Sequence, residues 1–166
     1  MAGLRRFVLA APVRATAAPA DATARPPAPA DAEALAQLLL DAYRGSIDDE
    51  GETLDDSRAV VAKLFAGEFG PMLWSLSEVI ERDGRLVAAA LLTVWFDGPF
   101  VAFMVTLPTW QRRGLARAGL QRAFNRLAAG AEPWLRLVVT QGNTPAEALY
   151  ESLGFLPVAA PPLSAA

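Results

Sequence analysis

Cysteine and histidine are both missing from this chain of 166 residues, and lysine occurs once, as Lys63, among 15 basic residues. Without cysteine there are no disulfides, no thiolate metal sites and no cysteine nucleophile. Without histidine a Ser-His-Asp arrangement is excluded, and any metal would have to be held by oxygen ligands alone, so no metal is expected. Chemistry is left to carboxylates, Tyr, Ser, Thr, Arg, Lys63, backbone groups or a cofactor. Long apolar runs are lacking too. None approaches the ~20 residues that a membrane-spanning helix needs, and a soluble, cytoplasmic protein with no membrane partner is expected. The opening RRFVLAAPV, Arg5 to Val13, resembles a secretory or twin-arginine signal, but its apolar core is short and is broken by Pro12 and Arg14. It is therefore not read as one.

Acids are absent from Gly98 to Ala131, whereas five arginines lie between Arg112 and Arg126 and seven acids crowd between Asp41 and Asp56. The net charge of −3 speaks against a nucleic-acid partner. Its uneven distribution suggests an anionic ligand at one place and a cationic one at another. The length fits one domain with a real core. Residues 1–27, rich in Ala and Pro, are read as an N-terminal segment with a strand added to the domain at 28–166.

Hydrophobic period places the elements. Ala28-Pro29-Ala30-Asp31 opens a helix through Tyr43, with Leu35, Leu38, Leu39 and Ala42 at helical spacing. A second helix is expected from Ser57 to Ala66. Leu73 to Glu81, Arg85 to Phe96 and Pro99 to Leu107 read as strands, joined by RDGR and by Asp97-Gly98. Gly114 to Ala129 reads as a helix, Trp134 to Thr140 as a strand and Thr144 to Leu153 as a helix. Thr144 and Glu147 have the spacing of a capping box, and Gly154 suits a left-handed stop. Helices, a meander, then helix, strand and helix make an α+β domain with a mixed, mostly antiparallel sheet.

The stretch TLPTWQRRGLARAGL, Thr106 to Leu120, turns a strand into a helix at a glycine framed by Arg112, Arg113 and Arg117. Arginines at a helix start oppose the dipole by ~0.3–1 kcal/mol each, a cost that a bound polyanion would offset. The first-turn N–H groups suit phosphate, and Gly114 and the small Ala116 leave room for it. The motif is neither a P-loop nor a dinucleotide fingerprint.

QRRGLA resembles the Q/R-x-x-G-x-G/A signature of the GCN5-related N-acetyltransferases, the GNAT superfamily. VTQGNTPAEALYESLGF, Val139 to Phe155, resembles the second signature of that family, and the likeness covers roughly Ala28 to Phe155. The resemblance implies the GNAT acyl-CoA N-acyltransferase fold and acetyl-CoA as cosubstrate. Gln111, Arg112, Arg113, Gly114, Leu115 and Ala116 would hold the pyrophosphate. Met104 and Thr106 would pair with the pantetheine on a strand that splays from Trp134 to Thr140, and Asn143 would meet the CoA arm. Tyr150 would lie beside the sulfur as general acid, and the Met104 N–H would polarise the carbonyl. Read from its own residues, Tyr150 could equally be a core tyrosine, since it shares a face with Ala146, Leu149 and Leu153.

No carboxylate stands on Pro99 to Leu107, so the general base is sought elsewhere. Glu78, in phase with Leu76 and Ile80, is the candidate, beside a water chain or a substrate that binds neutral. Two functions are open: an N-acetyltransferase acting on an amine of a small molecule or a protein, and a non-catalytic acyl-CoA-binding module. Tyr43, Phe65, Phe69, Trp74 and Trp95 beside the acidic loop suggest a cationic or aromatic amine. After Phe155 the prolines 157, 161 and 162 argue against a full closing strand. Asp21 to Arg25 is read as the family's first strand. Arg5 to Ala10 or Val13 to Thr16 is expected to pair beside the terminal strand, within the chain or across a homodimer.

Overall fold

The computed structural model describes residues 4–160. One mixed sheet of seven strands runs in the order β2-β3-β4-β5-β6-β1-β7. Its strands are β1 (Arg6–Pro12), β2 (Ala24–Arg25), β3 (Glu78–Arg82), β4 (Arg85–Trp95), β5 (Gly98–Thr106), β6 (Trp134–Thr140) and β7 (Leu156–Pro157). Every neighbour is antiparallel except β5 and β6, which run parallel. The helices are α1 (Ala32–Tyr43), α2 (Leu54–Phe65), α3 (Leu115–Ala129) and α4 (Thr144–Ser152). Among the described residues no helix is long and apolar enough to cross a membrane.

Two apolar layers enclose the sheet. α1 and α2 pack Leu35, Leu38, Val61 and Leu64 against Ala89, Leu91 and Val105. On the other face α3 packs Leu120, Phe124 and Leu127 against Ala90, Leu92 and Leu137, and Tyr150 of α4 joins the same cluster. β4 thus contributes alternate residues to both layers. That is why its sequence runs LVAAALLTV almost without a polar break.

Several elements differ from expectation. Leu73 to Ser77 is no strand: Trp74–Leu76 forms a 3-10 turn, and the Ser77 hydroxyl donates to the Leu73 carbonyl at 2.8 Å. The β4–β5 hairpin turns on Phe96 and Asp97, with Gly98 already paired to Trp95. Phe96 takes the left-handed conformation there at φ 59°. α2 begins at Leu54 because Thr53 and Asp56 form the capping box. Asp21 to Arg25 is strand only at Ala24–Arg25, which pairs with Val79 and Ile80.

β1 has a place in the sheet that the sequence pattern left open. It lies between β6 and β7, paired with β6 over seven residues from Arg6↔Thr140 to Pro12↔Trp134. β7 adds only Leu9↔Pro157 and Ala10↔Leu156. Val8 to Ala11 are buried. Val13 to Thr16 is not a strand, but Thr16 exchanges hydrogen bonds with the Asn125 side chain of α3, at 2.7 and 3.0 Å. Residues 6–12 are thus continuous with the core of the residues beyond 28.

Candidate active site

The two parallel strands β5 and β6 pair only at Phe100↔Arg136 and Val101↔Leu137, then part. A local cause lies in β5 itself. Leu91 faces Phe103 and Leu92 faces Val101, so Ala102 is the extra residue of a β-bulge where the pairing ends. Bulges bend their strand and raise its twist, which turns β5 away from β6. The Leu107 N–H donates to the Val87 carbonyl on β4, at 2.8 Å. By the alternation of an antiparallel ladder, the main-chain groups of Met104 and Thr106 therefore face the open edge. A cavity of about 400 Å³ fills the gap, lined along β5 by Val101 to Met104 and along β6 by Leu137 to Thr140.

The protein has two tyrosines, Tyr43 and Tyr150, and both line this slot. Tyr150 is 8% exposed, and burial first, then the nearby Asp48, pushes its hydroxyl up to about 12. Tyr43 is displaced further in the same direction, again mainly by burial and then by Asp48. Neither hydroxyl has a hydrogen-bond partner among the described residues, so both are free to meet a ligand. Asp48 comes from the loop after α1 and is held by the Thr140 hydroxyl, which donates to Oδ1 at 2.6 Å. Glu50 and Glu52 line the same mouth, and Arg6 of β1 faces Glu50 at 3.6 Å.

Asn143 also lines the slot, but its role at the helix differs from expectation. It is itself the N-cap of α4, with its side-chain oxygen accepting from Ala146 N–H at 3.4 Å. Thr144 is the first helical residue, and the Glu147 carboxylate accepts instead from Gly142 N–H at 3.2 Å. The bond from Asn143 is long, and its amide group keeps donors for a ligand. Gly154 takes φ 89° just beyond the helix, as a left-handed stop requires.

At the end of β5 a 3-10 turn, Pro108–Trp110, delivers the chain to the basic turn before α3. Arg112 has φ 61° and Gly114, the N-cap of α3, has φ 77°. Among the described residues no backbone N–H from Arg112 to Arg117 has an acceptor in the chain, and a Cβ on Gly114 would meet nothing within 4 Å. Open space before unpaired amides at a helix N-terminus is the arrangement that takes a phosphate. Around it Arg113 stacks on Trp110 at 4.5 Å, and Arg117 donates to the Ser152 hydroxyl at 2.5 Å. The Arg112 side chain has no partner among the described residues. Gln111 is turned back, its amide donating to the Thr106 carbonyl at 3.3 Å.

Glu78 does point inward, but it is not among the residues that line the slot. It is 2% exposed and accepts from Arg122 Nε at 2.9 Å, Arg122 Nη2 at 2.6 Å and Arg126 Nη2 at 2.8 Å. Arg122 in turn donates to the Pro19 carbonyl at 2.6 Å. Two guanidinium groups occupy the oxygens of Glu78 and it does not line the slot, so in place of the expected base the structure shows Glu78 as the centre of a buried ion-pair cluster. The five arginines from 112 to 126 divide accordingly: three surround the turn and two neutralise Glu78.

Beside the slot lies a second cavity, of about 190 Å³, between α1, α2 and β5. Of the aromatics that the sequence singles out, only Tyr43 and Phe69 line it, joined by Phe103. Phe65 packs on Trp74 with ring centres 4.8 Å apart, and Trp95 packs on Phe96 and Phe100, away from both cavities. Asp48 and Thr140 are the site residues that sequence reasoning missed. The acidic run was visible, but nothing in it marks which of seven carboxylates turns inward.

The model of the acetyltransferase (GNAT) family matches residues 32–155. The "[Ribosomal protein bS18]-alanine N-acetyltransferase" of Escherichia coli strain K12 is 34% identical over 93 residues, which is 56% of this chain and 62% of that relative. The match thus spans under two thirds of the relative's length. Among solved structures, a GCN5-related N-acetyltransferase from Sphaerobacter thermophilus superposes with a TM-score of 0.70 at 20% identity, over 92% of this chain and 48% of the other. AAC(6')-Iy, in complex with the bisubstrate analogue CoA-S-monomethyl-acetylneamine, does so with a TM-score of 0.61 at 14% identity, over 86% and 96%. At such identities these two likenesses show the fold alone.

Proposed function

This chain belongs to the acetyltransferase (GNAT) family, and on that premise we propose that it is an N-acetyltransferase that uses acetyl-CoA and an amine acceptor in a ternary complex. The observation that carries this reading is the splayed β5–β6 slot, which brings Tyr150 of α4 and Asp48 of the loop after α1 into one cavity. The unpaired amides of Arg112 to Arg117, with three arginines around them, fit a pyrophosphate. Acetyl-CoA, when bound, supplies a thioester whose carbonyl carbon is open to an amine.

The chain's own residues divide the remaining work. The main-chain edge at Met104 and Thr106 aligns the pantetheine, and the Met104 N–H polarises the carbonyl, an effect of up to ~3–4 kcal/mol for such a donor. Asn143 orients the arm. Asp48 receives the cationic amine at its free oxygen, Thr140 holding the other, and takes the proton as the nitrogen lone pair forms the C–N bond. Tyr150 gives its proton to the sulfur as the C–S bond breaks and regains one from the acetylated nitrogen, which leaves a neutral amide, a free thiol and a protonated Asp48. Raised to about 12, this hydroxyl stays protonated throughout the neutral range.

Thiol release measured across a panel of primary amines tests the reading. Turnover with at least one amine, lowered in Asp48→Asn with CoA affinity retained, is expected. CoA binding without release for any amine would overturn the catalytic proposal and leave a non-catalytic acyl-CoA-binding module.

A further inference from the structure

The second cavity shares Tyr43, Glu52 and Phe103 with the slot, so the two are neighbouring rooms with a common wall. Their linings differ. The slot mouth carries Asp48, Glu50 and Glu52, whereas the floor of the second cavity is Leu40, Val60, Phe69 and Phe103. Phe69 stands edge-on to Phe103 with centres 6.2 Å apart, and it is 38% exposed, a large apolar surface left open at the cavity rim. At about 190 Å³ the space exceeds the ~150 Å³ of an apolar cavity that admits benzene. Of its charged lining, Glu52 belongs to the shared wall, Arg44 donates to the Glu52 carbonyl, Asp56 is occupied at the α2 cap by Thr53, and Asp49 is occupied within its own loop. Its two oxygens accept from the Gly45 and Gly51 amides at 2.6 and 2.9 Å, which shapes the loop and leaves the cavity apolar.

We infer that the acceptor is a primary amine bearing an apolar arm of phenyl size, with its ammonium among Asp48, Glu50 and Glu52 and its arm in the cavity walled by Phe69, Phe103 and Val60. This rests on the proposed acetyl transfer and names the substrate class for it. Charge complementarity selects the cation, since the mouth has three carboxylates against the single Arg6. The shared wall fixes the arm close to the reacting nitrogen, so recognition acts on groups adjacent to the amine. The same chemistry occurs in a free arylalkylamine and in a peptide whose N-terminal residue is aromatic.

The test compares a series of phenylalkylamines with ethylamine, and a Phe-initiated tripeptide with a Gly-initiated one, by thiol release and by calorimetry in the presence of CoA. An aryl preference in kcat/KM of ~10–200-fold is expected, the range for added apolar groups in a fitted pocket. Val60→Phe, which fills the cavity, should abolish that preference, read as the ratio of aryl to ethylamine kcat/KM, while the melting temperature holds. If that variant does not fold, Val60→Ala should shift the preference toward bulkier arms. The better of the amine and peptide arms identifies the source. Equal rates for aryl and short amines, or an aryl preference untouched by both variants, would overturn the inference. Aryl amines that bind but are never acetylated, with binding lost in Val60→Phe, would refute the transfer reading and retain the pocket.

Discussion

Replacing Glu78 separates a structural carboxylate from a catalytic one. In Glu78→Gln the side chain keeps its size but loses its charge, and one of its two acceptors becomes a donor facing guanidinium N–H groups. Arg122, whose side chain is 13% exposed, would lose a bidentate partner, and Arg126, at 32%, its only one among the described residues. Breaking a buried pair from one side costs about 3–5 kcal/mol, because the remaining charge stays desolvated. The partial exposure of Arg126 places the cost toward the lower end. For a domain of this size 1 kcal/mol moves the melting temperature by ~2–4 °C, so a fall of ~6–20 °C is expected. Thermal unfolding followed by circular dichroism measures it, with thiol release on the folded protein alongside. A drop under ~2 °C with kcat reduced a hundredfold or more would refute the reasoning and restore Glu78 as a base. The triple change of Glu78→Leu with Arg122→Met and Arg126→Met should recover much of the loss, since an apolar replacement leaves no charge buried.

Gly114→Glu should abolish CoA binding by calorimetry while the fold survives, because the new Cβ meets open space but brings a carboxylate to the phosphate turn. The left-handed backbone at φ 77° adds only ~1–2 kcal/mol of strain. Unchanged affinity would refute the phosphate assignment. Tyr150→Phe should retain CoA affinity and lower kcat by ~100–10,000-fold. The tyrosine's folded value is raised from 10 to about 12, so its general-acid function should persist below pH 10 and be lost as pH rises through about 12. Any contribution to stability falls in the same window, present below pH 10 and declining above it as the unfolded chain ionises first. An alkaline limb near 10 that vanishes in Tyr150→Phe would show that burial does not control the hydroxyl. Deletion of residues 1–18 removes β1, strips β6 and β7 of their shared partner and should cause aggregation. An unchanged melting temperature and oligomeric state in the truncated protein would show that the strand contributes nothing.

Local signals carried the parts of this protein whose causes are local. The 3.6-residue period of Leu35, Leu38 and Leu39 marked α1, the alternation after Trp134 marked β6, and the basic glycine turn marked the start of α3, because caps, period and turn chemistry act within a few residues. The capping of α4 was misjudged between two adjacent oxygen-bearing residues, Asn143 and Thr144, since either type can cap and only the backbone angles choose. Tertiary structure decided everything that depends on which distant segments meet. The inward phase of Glu78 was legible on β3, but α3 supplied Arg122 and Arg126, 44 and 48 residues away, and so converted a candidate base into a buried ion pair. Asp48 is one of three carboxylates lining the slot, and Thr140, 92 residues on, holds it there. β1 found its place between β6 and β7 through pairings that span more than a hundred residues. Hydrogen bonds and ion pairs form between whatever the fold brings within ~3 Å, and one chain read in order contains the partners but not that distance.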